Sequence, residues 1–319
     1  MSPAGNLRIR GSGALGVAAL LALLLAPPSP VRSSGAPVAP EAQAAADGNT
    51  PFSFTVAGDM RDATEAGQFP AVLAAMLESG GPGAFLVIPG DSDPAEKTDR
   101  ALARTLGAGF PWYPVVGNHD AESRRDLAWI RDRFPSLPGV ARRGPPPCPE
   151  TTYSFDRGEA HFVVLNVYCD GGGDARTDGD ISPELYRWLA ADLADNHRPW
   201  VFVFGHEPAF PQPDAKWGTL RHVGDSLDKY PARRDAFWAL LSDRRVTAYI
   251  HGHAHQFSRL LRDGVWQVDA GIAAGTGKHD TFLRVTVDVE SVTFASWRSL
   301  GEGRFRKVDE WQVVRPATP

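Results

Sequence analysis

The sequence predicts an α/β fold in which two packed β-sheets are flanked by helices. Three observations predict it. Short apolar runs rich in β-formers recur, and they are hydrophobic almost throughout, as strands buried on both faces are. Segments with helical spacing lie between these runs, the alternation that marks an α/β chain. The C-terminal third then alternates polar and apolar residues without helices, as an antiparallel meander does.

In chain order the runs are FSFTVAGD, AFLVIPGD, WYPVVGNHD, WVFVFGHEP and TAYIHGHAH, and most end in Gly plus a polar residue. Residues 69–77, 121–134, 183–193 and 232–241 carry helical spacing. Pro183 and Pro231 suit first-turn positions, where the missing N–H is no loss. VWQVDAG, TFLRVTVDV and VTFASW form the predicted meander. Two irregular stretches, residues 170–182 and 211–230, are candidate rim loops of a pocket.

The N-terminus reads differently. Arg8 and Arg10 precede an apolar run from Ala14 to Ala26, and Pro27, Pro28 and a Pro/Ala/Ser-rich tract follow. Basic, then apolar, then small residues is the order of a secretory signal peptide. The run is shorter than the about 20 residues that span a bilayer. Residues 1–46 are thus expected to be a signal peptide and linker, residues 50–316 a single domain, and the protein to be exported. Cleavage after Ala36, Ala44 or Ala46 fits equally, and an uncleaved anchor is the alternative. No further membrane span is expected.

Without residues 1–50, which hold three Arg and two acids, 30 basic and 36 acidic residues remain, a net charge of −6. That balance supplies no polycation for a nucleic-acid backbone or an anionic membrane. The two cysteines, Cys148 and Cys169, flank a predicted hairpin: TTYSFD, a turn at Arg157-Gly158, then AHFVVLNVY. A turn centred near Gly158 brings them opposite one another, so a cross-strand disulfide is expected in an oxidising compartment. Closing such a loop is worth about 3 kcal/mol. Two unpaired thiols are the alternative.

Five polar clusters follow five of the predicted strands, at the edge where open α/β sheets bind ligands. They are Gly58-Asp59-Met60-Arg61, Gly90-Asp91, Gly117-Asn118-His119-Asp120, Gly205-His206-Glu207-Pro208 and Gly252-His253-Ala254-His255. Each Gly permits a tight turn that aims the next side chain at a shared point. Carboxylate, amide and imidazole donors together suit Mn, Fe, Zn or similar divalent ions. Any one cluster is unremarkable, since a GD after a strand is often only a turn. Their repetition carries the signal.

These residues resemble the calcineurin-like metallophosphoesterase family. Its ordered motifs D-x-H, GD, GNH[DE], GH and GHxH appear here as GDMR, GD, GNHD, GHEP and GHAH, over roughly residues 52–260. GHAHQFSR is similar to the form in the purple-acid-phosphatase branch. The resemblance implies a four-layer α/β/β/α sandwich and metal-dependent hydrolysis of a phosphomonoester or phosphodiester substrate. One or two divalent metal ions (Mn, Fe or Zn) would be held. Asp91 would bridge; Asn118, His206 and His253 would complete one site, and Asp59 and His255 the other. His119 would protonate the leaving alkoxide, with Asp120 orienting its ring.

Two positions depart from the family pattern. Arg61 stands where a His ligand is usual, and a guanidinium does not ligate metal. It either clamps a phosphate oxygen or pairs with Asp62 or Asp93. Pro94 stands where the purple branch has a ligand Tyr. The alternative to an esterase is a phosphate- or ligand-binding pseudoenzyme with an incomplete metal site; retention of His119 argues against it. Of the other histidines, His161 is expected to be structural, His197 a loop residue and His251 turned away from His253. His222 and His279 lie in loops that could touch substrate.

Overall fold

Hydrophobic alternation decides the layering. In the strand Trp200–Phe204, Phe202 and Phe204 face one core while Val201 and Val203 face another. A strand buried on both sides in this way must lie inside a multilayer sandwich. The computed structural model describes residues 50–64, 68–169, 178–274 and 279–315. The expected leader and linker, and residues 170–177 of the first rim loop, lie outside them.

In chain order the elements are β1 Phe52–Val56, α1 Gln68–Glu78, β2 Leu86–Ile88, α2 Ala95–Leu106, β3 Trp112–Pro114, α3 Asn118–Glu122, α4 Arg124–Arg133, β4 Val140–Arg143, β5 Tyr153–Arg157 and β6 Ala160–Val164. There follow α5 Pro183–Asp195, β7 Trp200–Phe204, α6 Pro231–Asp243, β8 Ala248–His251, β9 Phe257–Arg262, β10 Val265–Ala270, β11 Thr281–Val287, β12 Ser291–Gly301 and β13 Arg304–Val314. One sheet runs β13-β12-β11-β1-β2-β3 and the other β4-β5-β6-β7-β8-β10-β9. Strands β1, β2 and β3 are mutually parallel, as are β6, β7 and β8.

The sheets meet through an aromatic core. Phe54 stacks on Phe85 at 5.2 Å and meets Phe162 and Phe202 edge-on, also at 5.2 Å. Helices α1 and α2 cover the outer face of the first sheet through Phe69, Leu73, Met76 and Leu102. Helices α4, α5 and α6 cover the second through Leu127, Leu189 and Phe237. The expected two-sheet sandwich with flanking helices is the observed architecture.

Several details differ from the expectation. Residues 121–134 form two helices, because Ser123 ends α3 and caps α4 by accepting the Asp126 N–H. Helix α2 carries little apolar signal: its buried residues are Ala95, Thr98, Ala101 and Leu102, small except for one. VWQVDAG does not join the meander. It becomes β10, parallel to β8 in the other sheet, while β13 completes the meander instead. The hairpin is as expected, with Tyr153 opposite Val164 and Arg157 opposite Ala160. Gly158 takes a φ of 52° in its turn. Cys148 and Cys169 are disulfide-bonded, their Cα atoms 6.0 Å apart. No helix among the described residues is long and apolar enough to cross a membrane.

His161 is structural. Its Nδ1 lies 2.7 Å from Asp156 Oδ1 and its Nε2 2.9 Å from Asp192 Oδ2. Burial lowers its pKa, but the bonds to the two carboxylates outweigh that and raise it to about 9. The unfolded value is about 6.5, so this charged bridge stabilises the fold fully below about pH 6.5 and is lost as pH rises through about 9. His161→Gln should therefore destabilise by on the order of 2 kcal/mol at mildly acidic pH. Denaturant midpoints should show the gap to the native chain closing above about pH 9. A gap independent of pH would contradict the charged bridge.

Candidate metal centre

Five strand ends deliver the predicted ligands to one place. Asp59 follows β1, Asp91 follows β2 and Asn118 opens α3 just after β3, all from the first sheet. His206 follows β7, and His253 and His255 follow β8, from the second. Four of these six residues hold left-handed backbone: Asp59 (φ 56°), Asp91 (53°), His253 (69°) and His255 (57°). Such conformations cost of order 1–3 kcal/mol each and cluster where a side chain must be aimed. The neighbouring glycines are required by closeness. A Cβ on Gly117 would collide with the Asp91 carboxylate, one on Gly252 with Asp59, and one on Gly90 with the His206 ring.

Asp59, Asp91 and His206 present donor atoms that all lie within 4.8 Å of one another, and all three residues are buried. His206 Nε2 stands 3.4 Å from Asp91 Oδ1 and 3.2 Å from Asn118 Oδ1. Its Nδ1 is 2.7 Å from the Pro89 carbonyl, to which it donates, so the Nε2 lone pair faces the cluster. Asp59 accepts the His253 N–H at 3.1 Å, and His255 Nε2 lies 3.5 Å from Asp59 Oδ1. The His206 and His253 rings are 5.0 Å apart.

The electrostatics favour a cation. Burial, and then the charge of Asp91, push the Asp59 carboxyl well above the ordinary range. Burial pushes the imidazoles the other way: His206 down, His253 to about 2 and His255 to about 4, with His206 and Arg221 respectively adding to the effect. Neutral imidazoles are the form a divalent ion needs, and a cation would relieve the burial and crowding that raise the Asp59 carboxyl. The residues therefore fit a metal.

Around this cluster, His119 places Nε2 3.9 Å from Asp91 Oδ2 and Nδ1 3.5 Å from Glu122 Oε2. Asp120 does not orient that ring. As the third residue of α3's first turn it reaches back, accepting the Gly117 N–H at 2.9 Å and the Ser92 N–H and hydroxyl at 3.1 and 3.0 Å. Glu122 is the acid at the His119 ring. Arg61 stands half-exposed with Nε 3.7 Å from Asp93 Oδ1, so it pairs loosely with one of its two expected partners. Pro94 begins the cap of α2 and offers no donor. Tyr168 comes near, its ring 6.3 Å from that of His206, but its hydroxyl donates to Glu207 at 2.9 Å.

Sequence reasoning undervalued two residues. The His222 ring lies 4.1 Å from that of His253, tilted to it, and lines a cavity of about 240 Å³ with Asn118, Glu207, Asp225 and Lys229. Glu207 is buried there, its carboxyl raised to about 8 by burial. Its position directly after a predicted ligand was the available signal. His222 was expected only as a loop residue that could touch substrate, because the loop around it has no periodicity to place it. His251 is buried and turned to the Gly252 carbonyl.

A family model of calcineurin-like phosphoesterases matches residues 52–257. Purple acid phosphatase 22 of Arabidopsis thaliana is 26% identical over 284 residues, which cover 81% of this chain and 58% of that protein. An acid phosphatase of Aspergillus ficuum is 29% identical over 174 residues, 43% of this chain and 26% of that one. The chain thus spans 58% or less of the length of these relatives. A solved structure of PhoD shares the fold, with a TM-score of 0.55 over 82% of this chain and 72% of that one at 14% identity.

Asp91→Ala should remove most bound divalent metal, measured by elemental analysis of the purified chain. Gly252→Ala should do the same in part, by displacing Asp59. Full metal content in Asp91→Ala would contradict its central place.

Proposed function

This chain belongs to the calcineurin-like phosphoesterase family, and we propose that it hydrolyses phosphomonoesters or phosphodiesters at the cluster of Asp59, Asp91 and His206. The observation that carries this reading is the convergence of those three buried donors within 4.8 Å. Asp91 would be shared by two metal positions. Asn118, His206 and His253 would complete one, and Asp59 and His255 the other. When bound, the metal would polarise the phosphoryl oxygens and lower the pKa of the attacking water.

The chain's own residues would do the rest. The Pro89 carbonyl holds the Nδ1 proton of His206 and so keeps Nε2 free as a ligand atom. Glu122 Oε2, 3.5 Å from Nδ1, would orient the His119 ring so that Nε2, the atom proposed to carry the transferable proton, faces the cluster. That proton would pass to the leaving alkoxide, a contribution of typically 10²–10⁴-fold. Arg61 adds a fixed positive charge beside Asp93 and would hold a phosphate oxygen, offsetting the loss of a ligand at its own position. The Asp59/His255 position would bind metal more weakly than its neighbour. The Cys148–Cys169 disulfide supports placing the protein in an oxidising, exported location.

Purified protein should cleave an aryl phosphate, lose that activity to a chelator and regain it with Mn, Zn or Fe. No turnover of any ester with any of these metals would contradict the reading. His119→Asn should retain metal yet slow alkyl esters at least tenfold more than activated aryl esters, which need no proton on leaving. Equal slowing of both would remove its assignment as the acid. Arg61→Ala should weaken inhibition by inorganic phosphate several-fold, while Arg61→His should raise bound metal. Unchanged phosphate inhibition would leave Arg61 as structural charge.

A further inference from the structure

A second cavity, of about 170 Å³, shares the wall residue His255 with the metal centre. Among the described residues its lining includes Asp214, Trp217, Arg221, Gln256 and His279. None of these five is placed as a metal ligand or a catalytic group at that centre.

The wall is fixed before anything binds. Asp214 and Arg298 form a buried ion pair, at 2.6 and 3.2 Å, between residues 84 apart in sequence. Asp214 also accepts the N–H groups of Lys216 and Trp217 at 2.8 and 2.9 Å. The Arg298 guanidinium sits 4.6 Å from the centre of the Trp217 ring, and the His279 ring lies 4.5 Å from it. Trp217 nonetheless stays 39% exposed. An aromatic side chain held rigid yet open to solvent is an efficient platform for a planar ligand, because little freedom is lost on binding.

Gln256 supplies the polar half. It is 4% exposed, and its Nε2 donates to the Gln212 carbonyl, which settles which end of the amide is oxygen. The oxygen, Oε1, has no partner among the described residues. A buried acceptor left unpaired costs free energy until a donor reaches it. Arg221 lines the same cavity and makes no salt bridge among the described residues, so its guanidinium is available to an anion there. The volume suits a ring: a cavity of about 150 Å³ holds benzene.

We propose that this cavity is the leaving-group subsite and that it takes a planar, nitrogen-bearing ring with an N–H donor, as a nucleoside phosphate carries. The ring packs on Trp217 and His279, its N–H donates to Gln256 Oε1, and Arg221 attracts the anionic ester. This rests on the hydrolytic reading above, since a leaving group exists only where an ester is cleaved.

The test compares kcat/KM of the metal-loaded enzyme for a nucleoside monophosphate and for glycerol phosphate. The native chain should prefer the nucleotide. Trp217→Ala should lower that preference roughly tenfold, the scale of one base–aromatic stack, mainly through KM, and Trp217→Phe should restore most of it. No preference in the native chain, or a preference untouched in Trp217→Ala, would overturn the subsite while leaving the esterase standing. Absence of turnover on every ester would overturn the esterase instead. In that case a free nucleoside decides the matter by calorimetry: binding that weakens in Trp217→Ala supports the subsite, and no binding removes it.

Discussion

Two buried carboxylates, Asp59 and Asp91, share the junction of two sheets, with Asp120 and Asp269 near enough to raise the Asp59 carboxyl further. Bringing like charges together out of water is among the most expensive arrangements a fold can adopt. It persists because the chain sets up what a cation needs at the same point. Neutral imidazoles flank the carboxylates, and burial holds those imidazoles uncharged. The aromatic core between the sheets lies behind this cluster and fixes the separation of the strand ends. The left-handed turns at Asp59, Asp91, His253 and His255 then aim the donors.

Neither sheet can build the centre alone. The first contributes two carboxylates and an amide, the second three imidazoles, and the contacts between His206 and Asp91 and between His255 and Asp59 join them. Glycines at 90, 117 and 252 let backbone and carboxylate approach where a Cβ would not fit. The site therefore reports on the packing of the whole sandwich. A small shift of one sheet against the other would separate the donors drawn from the two sheets, as at Asp91 and His206.

The parts legible in the sequence were those governed by local rules. Alternation revealed the strands, and Gly followed by a polar residue marked where each would end at the site. Hairpin symmetry about Gly158 paired the two cysteines. What stayed hidden depended on distant partners. Asp120 lies beside His119 in sequence, yet helix-start geometry turns it toward Ser92 and Gly117. The loop holding Trp217, Arg221 and His222 has no period to read, and its position follows from an ion pair between Asp214 and Arg298. Strand β10 shows the same alternation as its neighbours in sequence, and only tertiary pairing with β8 assigns its sheet.

The central claim is that the five strand ends form a divalent-metal site organised on Asp91. The most direct measurement is an anomalous-difference map from crystals of the chain soaked in Mn(II). The account predicts a peak in ligand contact with Asp91 and His206, with any second, weaker peak on the side of Asp59 and His255. A map with no peak among these residues, or with ordered manganese only elsewhere on the molecule, would contradict it.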